Sequence, residues 1–135
     1  MGMRRKGREM ALQVLYSLEY ELIEEQQNYQ QKLAEITTEF NDKNIIKFAE
    51  SLLLNVFENL DEINLRIQAN SANWSLEQIA KLDRCVLNIA IGELLFTETP
   101  AAIIMNEAIE IAKKYCSESS GKFINGVLNA IAKEQ

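Results

Sequence analysis

The sequence contains no histidine. That removes the commonest general base near neutral pH, the commonest metal ligand and every catalytic triad built on imidazole. A di-metal helical bundle goes with it, because such bundles draw a Glu-x-x-His motif from each of two helices. Cysteine is scarce: Cys85 and Cys116 lie far apart inside helical patterns, whereas a structural zinc site takes four ligands in short-spaced pairs. They read as small buried residues of a reduced compartment, with a disulfide between them as the minor alternative. One proline and five glycines leave long stretches without a breaker, and no phosphate loop of the Walker or dinucleotide type occurs. No segment approaches the roughly 18 uninterrupted apolar residues that cross a bilayer. The basic start is followed by Glu9 and an amphipathic stretch, not by the apolar region of a secretory signal. The expectation is a cytoplasmic protein that is not an enzyme and takes no metal or cofactor.

What is present suits one domain over residues 1–135, with 47% hydrophobic and 25% charged residues. The net charge of −6 argues against nucleic acid until its distribution is considered. Arg4, Arg5, Lys6 and Arg8 crowd the start, with no acid before Glu9. A basic tip on an acidic body attracts a phosphate backbone locally while the body repels nonspecific contacts; the plainer alternative is a solvated, frayed terminus.

Helical periodicity runs through most of the chain. Ala11, Leu15, Leu18 and Leu22 form a first apolar stripe, and Tyr29, Leu33, Ile36 and Phe40 a second, with Asn41 to Asn44 as a turn. Ala49, Leu52, Leu53, Val56, Leu60, Ile63 and Ile67 predict one long helix ending near Ala69 to Asn73. Ser75 with Gln78 makes a capping box, and Trp74 with Ile79 a hydrophobic staple, for a helix starting there. From Leu82 to Phe96 the apolar residues cover nearly the whole circumference, which marks a central helix. Thr99 and Pro100 open the next helix, with Pro100 at its first position, and it runs to about Cys116. A last helix carries Phe123, Val127, Leu128 and Ile131, and Gly126 within it suggests a close helix approach. Glu107 and Glu110 read as a solvated acidic face with Lys113 and Lys114 as partners.

Four ordered blocks carry a family resemblance. The segment from Arg5 to Tyr16, with its Arg-Glu pair and Ala-Leu-Gln-x-Leu-Tyr helix, resembles the opening of NusB proteins. Asp83 to Leu94 looks like their central helix. Asn106-Glu107-Ala108-Ile109-Glu110-Ile111-Ala112-Lys113 and Lys122-Phe123-Ile124-Asn125-Gly126-Val127-Leu128 are similar to two further family blocks. The resemblance implies an all-α fold of about seven helices in two packed sub-bundles. It further implies an antitermination factor that pairs with the ribosomal protein NusE, binds boxA RNA of ribosomal RNA leaders, and acts with other Nus factors on RNA polymerase.

By the same resemblance, Arg4, Arg5, Lys6, Arg8, Tyr115, Lys122 and Phe123 are assigned to RNA, and guanidinium groups suit phosphates and unpaired bases. Phe123 has a core role as its alternative, since it shares a stripe with Val127 and Ile131. Tyr16, Glu77 and Asp83 are assigned to the partner protein, with simple helix-end roles as alternatives for the two acids. Replacing Arg4, Arg5, Lys6 and Arg8 with alanine is expected to lower RNA affinity and leave stability almost unchanged. Asn88, Gly92 and Ser119 depart from residues common in the family, which bears on the detail of RNA contact. Homodimerisation, a protein-only helical adaptor and an accessory domain of an RNA methyltransferase remain alternatives.

Overall fold

The apolar stripes become seven α-helices, and no strand occurs among the described residues, which in this computed structural model are 2–21, 28–38, 42–71 and 76–134. They are α1 (Gly2–Leu18), α2 (Tyr29–Ile36), α3 (Lys43–Glu58), α4 (Leu60–Ala69), α5 (Lys81–Phe96), α6 (Ala101–Tyr115) and α7 (Ser120–Lys133). A 3-10 turn, Leu76–Gln78, precedes α5. Helices α1, α2 and α3 pack on one another, α5, α6 and α7 form a second group with α4 against α5, and α5 also touches α1 and α3. The all-apolar helix of the sequence is therefore the shared element of two small bundles.

The core runs through both groups. Leu53 of α3, Ile63 and Ile67 of α4, Leu87 and Ile91 of α5, Ile104 of α6 and Ile124, Leu128 and Ile131 of α7 are fully enclosed. Each such side chain contributes about 1.5–3 kcal/mol of transfer free energy. No helix among the described residues is long and apolar enough to cross a membrane.

Local chemistry moves several boundaries. The long helix predicted over Ala49 to Ile67 is two helices, broken at Asn59 (φ −124°, ψ 23°). There the Asn59 side chain donates to the Asn55 carbonyl (2.8 Å), and its own N–H bonds the Val56 carbonyl three residues back. An asparagine that offers the backbone an alternative partner ends a helix whose apolar pattern would continue. Asp42, expected within a turn, caps α3 by accepting from the N–H groups of Asn44 and Ile45 at 3.0 and 3.2 Å. The residues around Gln78 form the 3-10 turn, and α5 begins at Lys81; Trp74 and Ser75 of the expected staple and capping box lie outside the described residues. Leu22 and Phe40 lie outside them too.

Pro100 stands one position before α6, in extended backbone, where its carbonyl accepts from Ile103 and Ile104. Gly126 does not serve a close approach: a Cβ there would meet nothing within 4 Å. The close approach is at Gly7, where a Cβ would come 2.5 Å from the ring of Phe48. Cys85 and Cys116 are free thiols, and burial pushes both up to about 12.

Candidate nucleic-acid interface

The basic start of the chain is the first two turns of α1, not a frayed arm. Four cations in the first two turns, with no acid in the first, stand at the end of a helix where the backbone dipole is already positive. Neighbouring helices compensate that arrangement, and the compensation divides the four cations into two kinds.

Arg8 points inward and is 4% exposed. Its guanidinium forks onto Glu93 of α5, Nε to Oε1 at 2.7 Å and Nη2 to Oε2 at 2.8 Å, and Glu93 is 1% exposed. Leu12, Val86, Ile89, Ala90, Ile104, Ala108 and Ile111 wall this pair with apolar groups. Arg5 makes the same fork at the rim, to Glu107 of α6 at 3.0 and 2.6 Å. The Arg5 guanidinium holds the Glu107 carboxyl below its usual range, against an opposing effect of burial. A longer contact of 3.6 Å from Arg8 to Glu107 joins the two forks into one alternating chain of charge. Such bidentate pairs are among the stronger protein hydrogen bonds.

Arg4 and Lys6 are exposed. Arg4 lies over the ring of Phe48 of α3, 4.4 Å from the centroid, while Arg8 approaches the same ring at 5.3 Å. Gly7 makes room for that ring between them. An open hollow of about 560 Å³ adjoins Arg4, Arg5 and the edge of Arg8 and is bordered by Glu98, Thr99, Pro100, Ile103 and Glu107.

Helix α6 connects this end to the other expected RNA residues. Lys114 reaches back to Glu9 of α1 (3.1 Å) and lies 5.2 Å from the ring centroid of the exposed Tyr115. Lys113 and the exposed Lys122 line one hollow of about 440 Å³ where α6 gives way to α7. Phe123 is half-buried and packs against the core, in keeping with its apolar stripe. Arg4, Arg5 and Lys6 thus share one helix end, and Tyr115 and Lys122 lie farther along beside the end of α6.

Two of the assigned residues are enclosed in this structure. Arg8 is turned inward, and its Nε and Nη2 donate to Glu93 inside the protein. Asp83 is likewise enclosed, at 9% exposure, and both its oxygens accept from the Ser120 hydroxyl at 2.8 and 2.9 Å. Asp83 thereby ties the start of α5 to the start of α7. Glu77 is exposed in the 3-10 turn. Tyr16 is half-buried, accepts from the Tyr20 hydroxyl at 2.8 Å and meets that ring edge-on. Lys81 lies 4.8 Å over Tyr20, and Arg84 pairs with Glu19 nearby, so this face mixes both signs of charge.

Sequence reasoning missed Glu93 and Glu107 as partners of the arginines. A signal for Glu93 existed: a carboxylate on a helix apolar on all sides must find a cation, and unassigned cations crowd α1. Glu107 gave none, since a solvated i, i+3 role was equally consistent with its spacing. Of its neighbours, Glu110 does pair with Lys113 at 3.2 Å.

An all-helical body whose acidic interior locks one basic helix end defines a small α-protein with a localised cationic edge. The NusB family model matches residues 5–133, and the chain belongs to the NusB family. It is 41% identical over 132 residues to the transcription antitermination protein NusB of Bdellovibrio bacteriovorus, covering 96% of this chain and 95% of that protein. Among solved structures it is similar to T. maritima NusB, with TM-score 0.86 and 36% identity over 98% of this chain and 92% of that one. It is also similar to a chain of the antitermination factors NusB and NusE in complex with dsRNA, with TM-score 0.85 and 26% identity over 100% and 99% of the two chains.

Proposed function

We propose that this chain binds boxA-type RNA of ribosomal RNA leaders jointly with the ribosomal protein NusE and supports antitermination by RNA polymerase. The observation that carries the RNA part is the outward pair Arg4 and Lys6 on a helix end whose inner arginines are tied to carboxylates. Two fixed cations on an otherwise acidic body give local attraction for a phosphate chain without general affinity for polyanions. Arg4, Lys6 and the outer edge of Arg5 contact the backbone, and Tyr115 offers a ring for an unpaired base. Lys122 extends the cationic edge, Phe123 supports it from the core side, and Arg8 serves as the anchor of α1. For NusE, the face containing Tyr16 and Glu77 presents aromatic surface and an acid to a basic partner.

The test is titration of a boxA-like oligonucleotide, with and without NusE, across a range of salt. NusE should tighten binding. Arg4→Ala with Lys6→Ala should weaken it and make the fall of log affinity with log salt shallower by about 0.7 for each phosphate that is no longer neutralised. Identical affinities and salt slopes for parent and variant would refute the RNA reading and favour a protein-only adaptor.

A further inference from the structure

We infer that Glu107 is a positioning residue for RNA binding: by clamping Arg5 to the inner side of α1, it fixes the helical end from which Arg4 and Lys6 meet the ligand. The inference rests on the RNA reading above, and it gives a carboxylate at a phosphate-binding edge a favourable role.

The first turns of α1 have little reason to be helical by themselves. They contain Gly2 and Gly7, which lose more chain entropy than other residues, and they gather cations at the positive end of the dipole. Three contacts offset this. The Arg8–Glu93 fork fixes the second turn from within, and Arg4 rests on Phe48. Between these two, as a charged clamp outside the enclosed pair, is the fork from Arg5 to Glu107, at 3.0 and 2.6 Å. The Glu93 pair is enclosed, while Arg5 and Glu107 are 26% and 14% exposed and border the open hollow beside Arg4. Glu107 is therefore the clamp on the part of α1 that carries the two outward cations. Without it, RNA must order the turn as it binds, and that ordering weakens the complex.

Electrostatics alone predicts the opposite sign. A carboxylate beside bound phosphate repels it, so removing the charge should tighten binding. The sign of the effect separates the two accounts.

The experiment uses the full chain with NusE and a boxA-like RNA oligonucleotide, well below the thermal midpoint so that the folded fraction does not change. Glu107→Gln should weaken binding roughly 3- to 10-fold and speed hydrogen exchange at the amides of residues 6–9, which bond to the carbonyls of the first turn. The salt slope should fall toward that of the Arg4→Ala, Lys6→Ala variant. Added to that double variant, Glu107→Gln should have a much smaller effect, limited to the contact of Arg5, because it acts mainly through the two outward cations. Unchanged or tighter binding by Glu107→Gln, or an equal weakening in both backgrounds, overturns the inference. Should Glu107→Gln lower the midpoint into the assay range, Glu107→Asp, which keeps the charge and shortens the reach, is held to the same outcomes. If Arg4→Ala with Lys6→Ala leaves RNA affinity untouched, the RNA reading itself fails.

Discussion

Replacing Arg8 with alanine should unfold this protein far more readily than replacing Arg4 or Lys6, although all three belong to one basic run. The guanidinium of Arg8 forks onto Glu93 through Nε and Nη2, both groups are enclosed, and the surrounding walls are aliphatic. Deleting one member leaves a carboxylate with no compensating charge in a dry site, a destabilisation of about 3–5 kcal/mol. For a chain of this length each kcal/mol moves the thermal midpoint by roughly 3–4 °C. Arg8→Ala should thus lower the midpoint by about 10–18 °C. Arg4→Ala gives up an exposed cation–ring contact of about 0.5–1 kcal/mol, and Lys6→Ala changes stability by less than about 0.5 kcal/mol. Thermal unfolding followed by circular dichroism measures all three, and a paired Arg8→Met, Glu93→Leu variant should recover most of the stability by filling the site with apolar volume. An Arg8→Ala midpoint within about 3 °C of the parent would refute the buried-pair argument.

The glycines, the thiols and the Glu107 carboxyl each offer a further test. Gly126→Ala, at a helical position with open space around it, should stabilise by about 0.5–1 kcal/mol, whereas Gly7→Ala should destabilise by about 1–3 kcal/mol because Phe48 must move; chemical denaturation reads both. Burial first, and for Cys116 also the Asp83 carboxylate, pushes both thiols up to about 12, so alkylation at mildly alkaline pH should be at least about a hundred-fold slower in the native protein than in denaturant. The Glu107 carboxyl is held low by Arg5, so its stabilisation is complete above the ordinary value of 4.5 and is lost as pH falls through its lower folded value. Acid unfolding of Glu107→Gln should accordingly be less steep in that window, with parallel curves near neutral pH.

Element types were legible in the sequence because they depend on period and breakers, which are local. The encircling apolar residues of α5 announced its central place, and the stripe through Phe123, Val127 and Ile131 announced the buried face of α7. Breaks made by hydrogen bonds were harder to see. Asn59 divides α3 from α4 through a side-chain bond to Asn55 that leaves the apolar pattern untouched. The site was less legible still, because the number of cations in a run says nothing about which way each one points. Arg8 and Glu93 are separated by most of the chain, and only the packing of α1 against α5 makes them partners. Asp83 was open to the same error, since an acid in the first turn of a helix suits a surface role until Ser120 is brought against it.

The division of the basic run has a consequence for how an acidic protein handles a polyanion. If all four cations were displayed, the salt slope due to α1 would approach about 2.8, from about 0.7 per phosphate on a single strand. With Arg8 enclosed and Arg5 forked onto Glu107, the outward pair supports about half that value. Glu93 and Glu107 cancel the charge of two arginines, hold them as struts and leave Arg4 and Lys6 as the outward charge of the helix end. A large net negative charge and a specific RNA contact are compatible on these terms, because the acids that matter at the binding edge are already neutralised by the residues they orient.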